Sequence, residues 1–371
     1  MRIVHLAPHL TTAAGPLAPD VLALAHAQTQ TSDSRVKVLA AAPQARSSRV
    51  EELELRTFAA GWPRRLGRSR ALRHHLLGSP LELIHAHCLG ERSLHYARLA
   101  ALHHGAPLIL SPAGLLGLGD AHRARLRCTA LRLLLHPLAL EHAAGWHATS
   151  PEEAQAIHAC GFRQPICVAP VGIRPPADSE FAEARVWWHE YLPALAGRPV
   201  ALFQASCDRP HRAHELITAW AATATADWLL LVVGPHGTTD TAGLTALAGR
   251  LGAGDRIVVT APADAPPAHA VARLFLRPSR LETSATPVAE AMAAGLPALV
   301  TDTTPWSRLD QENAGWCVPW RDYPTALRHK LALSPDALAA TGHAARELIL
   351  REFDWSRTAT RLLDFYRNLR S

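Results

Sequence analysis

At 371 residues the chain is too long for one ordinary core and suits two domains. Its 48% hydrophobic and 19% charged residues exclude a disordered polymer, and its longest apolar runs, such as WLLLVV at 228–233, are strand-length rather than membrane-spanning. The net charge of +6 rests almost wholly on arginine, since Lys37 and Lys330 are the only lysines, and no nucleic-acid-binding motif accompanies it.

The N-terminal MRIVHLAPHL has one Arg and an apolar run too short for a signal peptide, so it reads as a first strand of a cytoplasmic protein. Strands are then expected at 2–7, 36–41, 82–87, 107–112, 145–150 and 165–170, with helical patterns at 18–29, 91–104, 121–143 and 151–160. IHAHCLG at 84–90 puts His85 and His87 on one strand face without a third ligand. Six cysteines, at 88, 128, 160, 167, 207 and 317, show no metal spacing. No metal is therefore expected.

VGIRPPADSEF at 171–181 reads as the start of a linker, after which the alternation restarts. Strands are expected at 199–205, 227–234, 256–261, 271–278, 297–302 and 315–319, and helices at 322–332, 335–350 and 355–369 close the chain. Such alternation makes parallel sheets covered on both faces, with ligands at the carboxyl ends of the strands.

The richest stretch is RPSRLETSATPVAEAMAAGLPALVTD at 277–302. Thr286 suits an N-cap, Pro287 a first helical position and Gly295 a helix stop, so free amides of a helix start offer a phosphate site. Glu282 precedes that helix and Glu290 lies one turn inside it. Either the two carboxylates accept hydrogen bonds from sugar hydroxyls, or Glu290 complements the helix dipole and Glu282 is a solvated loop residue.

That stretch resembles the sugar-nucleotide signature of retaining glycosyltransferases of family 4, with Glu282 and Glu290 at the positions of the family's paired glutamates. SPAGLL (111–116), LALEHAAGWHATSPEEAQAIHACGF (138–162), PVGI (170–173), TPWSRL (304–309) and FDWSRTATRLLDFYRNL (353–369) follow in family order. The resemblance implies the GT-B fold, two doubly wound Rossmann-like domains facing a central cleft. Residues 1–175 would be the acceptor domain, 176–198 a linker, 199–352 the nucleotide-sugar domain and 353–371 a helix crossing back. It further implies transfer of a sugar, with retention, from a nucleotide sugar to a glycan or lipid-linked acceptor in surface-polysaccharide or glycolipid synthesis. Neither metal nor cofactor is called for.

The chain departs from the pattern where the diphosphate is gripped. Ser206 and His211 stand in place of the usual Arg and Lys, and Arg212 in place of the following Gly. Ser284 and Ala285 replace the Phe-Gly of the glutamate loop, Val171 and Arg174 replace Asn and Asp, and Ala113 replaces an Arg. Gly15 alone remains of the N-terminal Gly-Gly loop. Two readings follow. In one, Arg209 and Arg212 take over the leaving-group charge beside the catalytic Glu282, while Gly15, His211, Ser284, Ala285, Thr286 and Glu290 bind the donor. In the other, the site has eroded and the chain is a binding or scaffold protein. Arginines interleaved with apolar residues at 61–75 and 122–136 suit either peripheral contact with an anionic membrane or a solvated helix face.

Overall fold

The computed structural model describes residues 1–7, 17–50, 53–62, 66–87, 89–116, 128–129, 138–205, 212–223, 227–234, 240–280 and 285–370. The chain divides into two compact units, Met1–Gly172 with Phe353–Ser371, and Ile173–Glu352.

Unit 1 is built on β1 (Arg2–Ala7), β2 (Arg35–Ala42), β3 (Arg46–Val50), β4 (Leu53–Ala59), β5 (Leu83–Ala86), β6 (Leu108–Leu110), β7 (Gly145–Ala148) and β8 (Ile166–Val168). The order across the sheet is β3-β4-β2-β1-β5-β6-β7-β8. Neighbours run parallel except β3 and β4, an antiparallel edge ribbon. The sequence reading missed this ribbon because RSSRV carries little apolar signal on a largely solvent-exposed edge. The central strands are buried on both faces, which is why they read as continuous apolar runs.

Helices α1 (Leu17–Thr31), α2 (Arg70–Gly78), α3 (Ser93–His104) and α4 (Pro151–Ala159) join these strands. On one face Leu72, Leu76, Leu94 and Ala97 pack with Val4, Leu6, Ile84 and Leu110. On the other, Val21 and Leu24 of α1 meet Ile3, Val36, Leu83, Leu362 and Tyr366. Of the helix expected at 121–143, residues 128–129 are helical, Leu138–His142 turn, and the remainder lies outside the described residues.

In unit 2, α5 (Asp178–Tyr191) precedes β9 (Val200–Gln204), α6 (Ala213–Ala221), β10 (Leu229–Val233), α7 (Thr241–Arg250), β11 (Ile257–Thr260), β12 (Leu274–Arg277), α8 (Thr286–Ala293), β13 (Ala298–Thr301), β14 (Gly315–Val318), α9 (Tyr323–Leu331) and α10 (Pro335–Glu352). The stretch expected as a linker therefore holds a helix. Trp188 of α5 is fully buried and its indole N–H donates to Pro266 O at 3.0 Å. The sheet order is β11-β10-β9-β12-β13-β14 with every neighbouring pair parallel. The last helix, α11 (Trp355–Asn368), belongs to unit 1. Asp354 caps it by accepting from the Arg357 amide at 3.0 Å. It buries Leu362, Leu363 and Tyr366, each contributing about 1.5–3 kcal/mol by loss of water contact. At Gly145 a Cβ would sit 2.6 Å from Phe365 Cζ, so only glycine lets α11 lie this close to β7.

Both sheets are doubly wound. In unit 1 the order reverses between β1 and β5, in unit 2 between β9 and β12, and crevices at such reversals are where this architecture binds ligands.

Candidate functional site

The reversal in unit 2 gathers cations. Arg277 ends β12 and is buried, its Nη1 donating to Gln204 O at 2.6 Å across to β9. Arg212 is the N-cap residue of α6, and its amide donates to Pro278 O at 3.4 Å, closing the crevice between the two strands. Its guanidinium lies 4.5 Å over the Trp320 ring and 3.5 Å from Glu215 Oε1. Its Nε is buried with no partner among the described residues. Arg280, on the loop leaving β12, forms an ion pair with the same Glu215. Two arginines thus share a single glutamate.

The loop that leaves β12 is braced from beneath. Ser279 is fully buried, its amide donating to Thr301 Oγ1 at 2.9 Å, while its carbonyl accepts from Thr301 Oγ1 at 3.0 Å and Thr303 Oγ1 at 2.6 Å. These bonds fix the exit direction of the segment that leads to α8. Sequence reasoning made Thr286 the N-cap. The structure corrects this, because Ala285 is the N-cap residue and Thr286 the first helical one, with Pro287 in the first turn. Alanine has no side-chain oxygen, so the helix start lacks the N-cap residue's usual acceptor and keeps its pull on an anion. Glu290 is open to solvent, yet protein crowding about its carboxyl strips hydration and raises it above the usual carboxylate range.

Of the residues singled out from sequence, Arg212 begins the helix that follows β9, and Ala285, Thr286 and Glu290 lie at the start of or within the helix that follows the adjacent strand β12. Gly15, Ser206, Arg209, His211, Glu282 and Ser284 lie outside the described residues. Sequence reasoning missed Arg277, Arg280, Glu215 and Trp320. The two arginines stand in the RPSR of the signature stretch, just before Glu282.

In unit 1 one expectation is overturned. His85 and His87 do have a third partner, because β1 pairs beside β5 with His5 opposite His85. A contact between strands 80 residues apart leaves no trace in local spacing.

Residues 17–172 match the model of the "Glycosyl transferase 4-like domain" and residues 198–333 that of "Glycosyl transferases group 1". Both halves are glycosyltransferase domains, and the fold is GT-B. Sucrose-phosphate synthase from Thermosynechococcus elongatus superposes with a TM-score of 0.75 at 20% identity, over 100% of this chain and 99% of that one. Anabaena HepE, in complex with UDP-glucose, gives 0.73 at 17% over 99% and 100%. A glycosyltransferase from Rickettsia africae ESF-5 gives 0.76 at 12% over 99% and 98%. No curated protein matches this GT-B chain by sequence.

Proposed function

We propose that the chain moves a sugar from a nucleoside diphosphate sugar to a glycan or lipid-linked acceptor, with retention at the anomeric carbon and without metal or cofactor. The observation that carries this is the cationic crevice at the β9–β12 reversal, where Arg212 and Arg280 outnumber Glu215 near a helix start whose N-cap residue is alanine. Leaving-group diphosphate gains negative charge as the glycosidic bond breaks. Donors already aimed at that charge lower the barrier without reorganising, commonly the largest single term in such catalysis. The Nε of Arg212 has no acceptor among the described residues, and a diphosphate oxygen would supply one. Arg212 and, beyond the described residues, Arg209 and His211 would carry the charge that the family gives to an Arg and a Lys. Glu282 would act at the transferred sugar and Glu290 at a donor hydroxyl. UDP-glucose in the HepE complex supports this donor class.

A second reading has its own observation. Arg212 is already engaged by Glu215 and by Trp320, which weakens its field, and this favours a protein that binds without turnover. Calorimetry with UDP-, GDP- and dTDP-sugars tests both readings. The enzyme reading expects micromolar to millimolar binding, loss of affinity in Glu290→Ala, and release of the nucleoside diphosphate with an acceptor. Binding without release supports the second reading, and no binding by any donor overturns both.

We place the protein in the cytoplasm, with peripheral membrane contact through the arginine-rich stretches of unit 1. Among the described residues no helix is long and apolar enough to cross a membrane. Trp62 is 87% exposed beside exposed Leu66 and the basic face of α2, an arrangement suited to an anionic lipid surface. Flotation with anionic vesicles that fails to weaken at high salt would contradict an electrostatic attachment.

A further inference from the structure

The reversal in unit 1 is filled by histidines. His5 on β1, His85 and His87 at the end of β5, and His147 on β7 are all buried. The ring centroids of His85 and His87 are 4.0 Å apart, those of His5 and His87 5.1 Å, and those of His85 and His147 5.2 Å. One ring nitrogen from each of His5, His85 and His87 lies within 4.8 Å of the other two. All four rings are cut off from water, an environment that disfavours a charged imidazole. Neutral imidazole is the form that ligates a metal.

The hydrogen bonds around the cluster say which nitrogens are available. His147 Nε2 lies 2.9 Å from Ala169 O, and a carbonyl only accepts, so Nε2 holds the proton and Nδ1 is a bare lone pair. That Nδ1 is buried with no partner among the described residues. His85 Nδ1 meets Tyr366 Oη at 2.6 Å, and its Nε2 is likewise buried with no partner among the described residues. Two orphaned ring nitrogens in one buried cluster are rare and call for an occupant. His5 and His87 share a bond of 2.8 Å between Nδ1 and Nε2, while Nε2 of His5 meets Gln28 Oε1 at 2.7 Å. Gln28 and Tyr366 thus hold the outer nitrogens of His5 and His85, the arrangement that orients ligating histidines.

We propose that His5, His85 and His87 bind one divalent transition-metal ion of the zinc class, with Nε2 of His85 as one donor and His147 beside it. Imidazole donors suit such ions. The ion takes the place of the proton shared by His5 and His87, and His87 carries its own proton on the other ring nitrogen. A dication among neutral ligands needs a counter-charge, and the buried carboxylate of Glu153 acts electrostatically on His147. Glu153 is held by the amides of Gly114 at 2.6 Å and Thr149 at 2.7 Å. The site is structural. It joins β1 to β5 and, through Gln28 and Tyr366, fastens α1 and α11 to the sheet.

The test strips the purified full chain with a chelator and titrates it with Zn²⁺ and with Co²⁺. Elemental analysis gives stoichiometry, the visible Co²⁺ bands give geometry, and thermal unfolding gives linkage. One equivalent of zinc, intense tetrahedral-type Co²⁺ bands and an unfolding midpoint raised by roughly 5 °C are expected. His87→Gln should lose that equivalent, and Tyr366→Phe should keep it with affinity lowered about 10-fold. The chain has 22 histidines, so zinc held equally by His87→Gln is binding at exposed rings and overturns the proposal. An unshifted midpoint overturns it too. Where His87→Gln does not fold, Tyr366→Phe decides, and an affinity equal to the parent's overturns it.

Discussion

In unit 1 the strands that flank the reversal, β1 and β5, carry His5, His85 and His87, all buried. In unit 2 the equivalent pair, β9 and β12, ends in Gln204 and Arg277 and is followed by Arg212 and Arg280. The winding order is the same, yet one crevice is filled by buried imidazole rings and the other is lined by arginines. Topology supplies the crevice, and side chains decide what it holds. Burial explains the divergence. Histidine loses its charge under the α1 and α11 cover, whereas arginine keeps its charge wherever it sits.

The strongest way to break this comparison is to remove charge from unit 2. Arg212→Ala, and Arg209→Ala beside it, should lower the transfer rate about 10²- to 10³-fold, the scale for losing one charge-stabilising donor. Arg280→Ala should act in the same direction, because it frees Glu215 to neutralise Arg212 further. Rates like the parent's would mean that His211 and helix-start amides carry the diphosphate. Restoring the family pair with Ser206→Arg and His211→Lys should raise the rate.

Acid should instead strike unit 1. The folded pKa of His5 lies at about 4, below its ordinary 6.5, so the neutral ring favours the fold. That contribution is present above about pH 6.5 and is lost as pH falls toward about 4. For His5 alone the loss is about 3 kcal/mol, and His85, His87 and His147 add to it in the same direction. Urea unfolding across this range should show the slope, and His5→Gln should flatten it. His269 of unit 2, also held at about 4, gives that unit a smaller acid sensitivity of the same sign.

A smaller effect is expected where α11 meets β7. Gly145→Ala would press a methyl on Phe365 and Leu369, costing about 1–3 kcal/mol in urea unfolding while leaving donor affinity intact. The smallest effect is at Glu290, whose folded pKa is raised. The sign is opposite to that of His5, since stability is fullest below the ordinary carboxylate pKa and declines as pH rises through the folded one. Glu290→Gln should therefore be slightly more stable than the parent at neutral pH, and a weaker donor binder.

The doubly wound halves were legible because parallel strands buried on both faces leave unbroken apolar runs, as in WLLLVV, and because Pro287 and Gly295 bracket α8. The β3–β4 ribbon was not legible, since an exposed edge needs no apolar run. Arg212 stood out because it lies next to His211, a position where the family pattern has a Lys. Arg280 and Glu215 did not, for an ion pair across 65 residues has no local signature. The histidine cluster stayed hidden for the same reason, and the proline-rich start of the expected linker masked α5, whose Trp188 is held by a carbonyl 78 residues away.

The central claim is that the unit 2 reversal holds the donor's diphosphate, and calorimetric titration of the parent and an Arg212→Ala/Arg280→Ala pair with UDP-glucose tests it most directly. Micromolar to millimolar affinity is expected for the parent, with at least about 10-fold weaker binding for the pair and a parent affinity that falls as salt rises. UDP-glucose bound equally by both proteins would contradict it.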